Sequence, residues 1–150
     1  MSGCDTPDPC GGAQPAPAAP GVRPASPAAP KTYDDFVREA RAVIREVDTA
    51  AAAALLAGGA LALDVREPSE VATGTVEGAL AIPRGRLESD APDWIFDPEA
   101  PLLVCCNTGK RSALAVRTLL EMGFTGAVSL AGGLAAWSDA GGALGAPRPM

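Results

Sequence analysis

The stretch "LLVCCNTGKRSALAV", residues 102–116, joins three kinds of local pattern. An apolar run of strand length ends in two adjacent cysteines. A short polar loop with a glycine follows, and then an apolar-periodic segment that reads as a helix. The spacing predicts a strand over "LLVCC" and a helix over "RSALAVRTLLEMG", stopped at Gly123. A loop that curls between a strand and a helix N-terminus aims several backbone N–H groups at one spot. Gly109 supplies the permissive backbone such a curl needs. Lys110 and Arg111 add two positive charges, and no acid follows in sequence before Glu121. An anion at the centre of the loop, a cysteine thiolate included, would be held by all of these.

The flanking chain alternates in the same way. "DTAAAAALLAGG" reads as a helix capped by Asp48 and stopped by Gly58 and Gly59, followed by short buried strands at "ALALDV" and "GALAIP". Residues 84–100 read mostly as connection, with Trp94, Ile95 and Phe96 as an apolar anchor. After the stretch quoted first come a strand at "AVSL" and a last helix at "GLAAWSDAG". Trp94 and Trp137 read most simply as core anchors. Strands and helices in alternation imply an α/β fold with a mainly parallel sheet covered on both faces. In such sheets ligands bind beyond the carboxyl ends of the strands, where the cysteine pair lies.

Upstream, "KTYDDFVREARAVIREVD" opens on a Thr32–Asp35 capping signal. Tyr33, Phe36, Val37, Ala40, Val43, Ile44 and Val47 fall on one face at helical spacing, which predicts an amphipathic helix over 31–46 packed on the domain. Residues 1–30 are mainly proline, alanine and glycine and carry Cys4 and Cys10; this composition predicts a disordered tail. The domain proper is expected over 47–142, with a flexible C-terminus at 143–150.

Composition narrows the function. The 150 residues have a net charge of −6, against the basic stripe of a nucleic-acid binder, and no run suits a membrane helix. The N-terminus lacks the basic and apolar regions of a secretory signal, which predicts a cytoplasmic protein with reduced thiols. The chain contains no histidine, so cysteine–histidine catalysis and histidine-ligated metal sites are excluded. A thiolate held by the loop itself needs no such partner.

Cys106–Asn107–Thr108–Gly109–Lys110–Arg111–Ser112 resembles the active-site loop of the rhodanese (sulfurtransferase) family, which reads Cys-x-x-Gly-x-Arg-Ser. "LDVREPSE" (63–70) is similar to that family's acidic strand end and turn, with Asp64, Arg66 and Glu67 in place. "AGGLAAW" (131–137) resembles its closing glycine turn and tryptophan-bearing helix. The resemblance implies a central five-stranded sheet flanked by helices and a reaction through a persulfide. Cys106 would be the nucleophile, and Asn107, Thr108, Gly109, Lys110, Arg111 and Ser112 the substrate cradle, with Lys110 and Arg111 attracting an anionic donor. It implies no cofactor and no metal. Its partners would be a small anionic sulfur donor and a cyanide or thiol acceptor, with a sulfur-carrier protein as a further candidate. Asp64 and Arg66 are read as supporting residues that fix a turn more than they touch substrate. The chain departs from the family at "ATGTVEGALAIP", where Thr75 and Glu77 replace a histidine and a proline that many members carry.

The cysteine doublet leaves a choice. Arg111 lies six residues after Cys105, the spacing of cysteine phosphatases, and five after Cys106, the shorter sulfurtransferase loop. Gly109 lies three after Cys106, where the rhodanese pattern has it, and strand alternation puts the two side chains on opposite faces. Cys106 is therefore the expected nucleophile, and Cys105 a small buried hydrophobe, with a redox role as the alternative. The competing functions are a non-catalytic rhodanese-like binding module and a phosphatase or arsenate reductase on the same fold.

Overall fold

The computed structural model describes Gly3 and residues 29–150. The expected tail with Cys4 and Cys10 lies outside the described residues over 4–28. The unit Lys31–Met150 is built on five parallel strands. They are β1 (Glu46–Val47), β2 (Leu61–Asp64), β3 (Leu80–Ala81), β4 (Leu102–Cys105) and β5 (Ala127–Leu130), in the spatial order β1-β5-β4-β2-β3. Six helices surround them: α1 (Tyr33–Arg41), α2 (Thr49–Ala57), α3 (Pro68–Val71), α4 (Leu87–Trp94), α5 (Lys110–Met122) and α6 (Gly133–Asp139). No helix among the described residues is long and apolar enough to cross a membrane.

Every residue of β4 is buried, as a central parallel strand with both faces covered requires. The period of two then sorts its side chains. Leu102, Val104 and Cys106 join one core cluster with Leu63, Val65, Leu87, Val116 and Leu119. Leu103 and Cys105 join the other, with Val47, Ala52, Val128, Leu130 and Leu134. The core is aliphatic, and the adjacent cysteines belong to opposite faces of the sheet.

Several elements differ from the sequence reading. The helix expected over 31–46 starts on its capping box, with the Asp35 amide donating to Thr32 Oγ1, but it ends at Arg41. Val43 is exposed, and Val47 is buried in β1 opposite Leu130. The amides of Ser129 and Ala131 donate to the carbonyls of Arg45 and Val47, so hydrogen bonds from a remote strand override helical spacing here. Tyr33 and Phe36 stand about half exposed on α1 instead of in the core.

Residues 84–100, expected as connection, hold a 3-10 turn over Arg84–Arg86 and then α4. Pro92 masks this helix in the sequence. In the predicted anchor Ile95 is buried, but Phe96 is 86% exposed. The C-terminal segment, expected to be flexible, is tied down. The Thr75 and Gly145 backbones exchange hydrogen bonds, and the amides of Gly78 and Arg148 pair with the carbonyls of Ala146 and Ala79.

The 74–79 turn is also fixed from inside. Asp64, wholly buried at the end of β2, accepts from Arg66 Nε and Nη2 and from Thr75 Oγ1 at 2.7 Å; Arg66 Nη2 also donates to the Gly74 carbonyl. Burial by itself would lower the pKa of the Arg66 guanidinium, but the hydrogen bonds and charge of Asp64 reverse this and raise it. Thr75 thus joins the strand end to the turn. Asp64→Ala is expected to cost about 3 kcal/mol or more, because Arg66 would remain buried without its counter-charge. Urea denaturation would read that loss as a lower midpoint at unchanged slope.

Candidate active site

The site forms where β4 ends and α5 begins. Gly109, the N-cap of α5, has φ of 92°, a left-handed conformation that side chains rarely adopt. The kink folds the loop around its own first residue. Cys106 Sγ accepts hydrogen bonds from the amide of Gly109 at 3.1 Å and the amide of Ser112 at 3.3 Å. The residue is 1% exposed. Ser112 Oγ lies 3.6 Å from the sulfur and 2.8 Å from Ser129 Oγ, and both serines are fully buried. Either hydroxyl of that pair can donate. With Ser112 donating to Ser129, a thiol proton on Cys106 finds an acceptor; with the direction reversed, Ser112 can donate to an anionic sulfur.

A second turn holds the loop from outside. The amides of Leu134 and Ala135, in the first turn of α6, donate to the carbonyls of Cys106 at 2.8 Å and Asn107 at 3.0 Å. Gly133, at φ of 62°, allows the contact: a Cβ there would lie 2.4 Å from the Asn107 oxygen and 2.5 Å from that of Cys106. The carbonyls of Cys106 and Asn107 are therefore bound outward, while the amides of Gly109 and Ser112 face the sulfur.

The predicted cradle is placed unevenly. Gly109 and Ser112 meet the sulfur directly, while Asn107 and Thr108 stand exposed at the crest of the loop. Lys110 and Arg111, expected to attract an anionic donor, are each paired with an acid from elsewhere in the chain. Arg111 donates through both terminal nitrogens to Glu70, at 2.7 and 2.8 Å. Lys110 Nζ lies 2.9 Å from Asp34 Oδ1 and 5.7 Å from the centre of the Tyr33 ring. These acids come from α3 and α1, which a search along the loop's own sequence cannot reach. The Arg111 guanidinium and the Glu67 amide hold the Glu70 carboxyl at a pKa of about 2.

Asp64 and Arg66 form the separate buried network described above. Asp64 is opposite Cys105 in the β2–β4 register. Burial first, and the Asp64 charge second, push the Cys105 thiol well above its usual pKa, so it packs as a neutral side chain. Sequence reasoning missed Glu70, Asp34, Ser129 and the α6 amides. Only Glu70 left a local signal, as the partner of Glu67 in the capping box of α3.

A parallel α/β sheet that presents a cysteine sulfur to backbone amides at the end of its central strand defines a class of cysteine-loop domains. Within that class, the model of the Rhodanese-like domain family matches residues 48–140. The chain belongs to the rhodanese-like family. It is 37% identical over 97 residues to thiosulfate sulfurtransferase 16, chloroplastic, of Arabidopsis thaliana, covering 58% of this chain and 81% of that protein. It is 36% identical over 97 residues to the human thiosulfate:glutathione sulfurtransferase, covering 57% of this chain and 84% of that one. Among solved structures, a Rhodopseudomonas palustris protein of unknown function, described as a possible tyrosine phosphatase, superposes with a TM-score of 0.64 at 31% identity. That match covers 79% of this chain and all of the other. At the level of the family, these relationships support a rhodanese-type sulfurtransferase.

Proposed function

We propose that the protein moves a sulfane sulfur from a donor to a nucleophilic acceptor through a persulfide on Cys106. The observation that carries this reading is the buried Sγ accepting two backbone N–H groups from its own loop. With thiosulfate, the Cys106 thiolate attacks the outer sulfur. The new Sγ–S bond forms as the old S–S bond breaks, and sulfite leaves with the electron pair. Cyanide or a thiolate then attacks the outer sulfur of the persulfide, departs as thiocyanate or a new persulfide, and returns Cys106 as thiolate. The first-turn amides of Lys110 and Arg111 have no acceptor within α5, so they are available to the outer sulfur. From the thiolate onward neither step transfers a proton, which fits a chain without histidine.

The placement of Cys105 on the opposite face, away from the loop amides that meet Cys106, favours sulfur over phosphate chemistry, since the longer phosphatase loop would need Cys105 as nucleophile. A cytoplasmic setting suits the free thiols of Cys105 and Cys106, the two cysteines among the described residues, and a small thiol or a sulfur-carrier protein suits the role of acceptor. Mass spectrometry after thiosulfate treatment tests the reading. The expected result is one added sulfur atom on the peptide bearing Cys106, removed by cyanide with release of thiocyanate. No uptake from thiosulfate, polysulfide or an organic persulfide, with Cys106 still free, would overturn it in favour of a binding module.

A further inference from the structure

We propose that Glu70 and Asp34 determine donor specificity as fixed counter-anions: they cancel Arg111 and Lys110 at the mouth of the site, which then favours an organic persulfide of small net charge over the thiosulfate dianion. The donor preference rests on the sulfur-transfer reading above; the cancellation of charge does not.

The geometry is that of a built pair on one side and a lighter contact on the other. Glu70 meets the Arg111 guanidinium fork to fork, and its Oε2 also accepts from the Glu67 amide at 3.0 Å, so the carboxylate is anchored to α3 as well. The side chains of Arg111 and Glu70 are each about one-third exposed, so the pair meets solvent one residue before Ser112, whose amide holds the sulfur. Lys110 is held by Asp34 at the N-terminus of α1, with the Tyr33 ring beside it. α1 precedes the residues 48–140 that the family model matches, so this part of the mouth lies outside the matched domain.

Within these two ion pairs the positive and negative charges cancel. A small dianion gains no attraction there, and must break a two-bonded ion pair before it can use the guanidinium. The overall charge of −6 works in the same direction. Because the Glu70 carboxyl is held at a pKa of about 2, its cancellation of Arg111 persists through any working pH. An organic persulfide that carries its own ammonium and carboxylate meets both signs of charge and forfeits less.

The test separates charge selectivity from sulfur transfer. Cys106 is alkylated with iodoacetate, an anion, and with iodoacetamide, which is neutral, and the rates are mapped to its peptide by mass spectrometry. Glu70→Gln keeps an acceptor for the Glu67 amide, and Asp34→Asn changes an exposed residue, so both variants should fold. Glu70→Gln is expected to raise the iodoacetate-to-iodoacetamide rate ratio by about fivefold and Asp34→Asn by about twofold, the range of exposed and part-buried pairs. The ratio should become salt-dependent only in the variants. With sulfur donors, Glu70→Gln should lower KM for thiosulfate at unchanged kcat, and narrow the preference for cysteine persulfide. An unchanged alkylation ratio in both variants would overturn the proposal, whatever the sulfur chemistry. A raised ratio with no sulfur uptake from any donor would uphold the counter-anions and refute the persulfide reading instead.

Discussion

Cys106→Ser should take up no sulfur from any donor, while Cys105→Ser should keep uptake within about twofold of the wild type. The contrast is sharp because the two residues are neighbours in sequence and belong to opposite core clusters. A serine at 106 fills nearly the same space and still receives the amides of Gly109 and Ser112, so the loop survives. What disappears is the polarizable nucleophile. At 105 the substitution places a hydroxyl in an apolar layer, a cost of about 1–3 kcal/mol in stability, with the sulfur cradle untouched. Sulfur uptake and thermal unfolding, measured together on both variants, separate the two roles. Loss of uptake in Cys105→Ser with retention in Cys106→Ser would move the chemistry to the other face and revive the phosphatase reading.

Gly133→Ala is expected to reduce sulfur transfer by at least about a hundredfold, although the change adds only one methyl group behind the loop. The added methyl would meet the carbonyls of Cys106 and Asn107 well inside contact distance, at a backbone conformation that alanine avoids. The α6 turn must then retreat, and the bonds from Leu134 and Ala135 that hold the loop carbonyls outward go with it. A misplacement of about 1 Å in reacting groups can cost a hundredfold in rate. Ala136→Gly, in the same helix but facing the Gly132 side of the turn, provides a control for simple loss of helix stability. Equal loss of activity in both variants would show that the close backbone approach at Gly133 does not matter.

The strand, loop and helix around the cysteines were legible because their determinants are local. β4 is a short apolar run, Gly109 takes a backbone shape suited to glycine, and α5 ends on Gly123 in the left-handed region. Asp48 caps α2 by accepting from the Ala51 amide, a signal contained in four residues. What was illegible depends on distant partners. β1 is two residues long and owes its form to β5, some eighty positions away. The acids on Lys110 and Arg111 come from 76 and 41 residues upstream, so a tally of charges near the loop overstated its positive field. The glycine turn at 132–133 was visible as a motif, but its work on the loop carbonyls appears only when α6 is laid beside β4.

The two outermost strands, β1 and β3, each run for only two residues. A sheet margin that short gives a stray chain almost no ladder to extend, so the domain resists edge-to-edge polymerisation without charged guards along a long strand. The longer strands, β2, β4 and β5, all lie inside those margins. The protein can thus keep its most apolar sequence in the middle of the sheet without offering a long margin for another chain to extend.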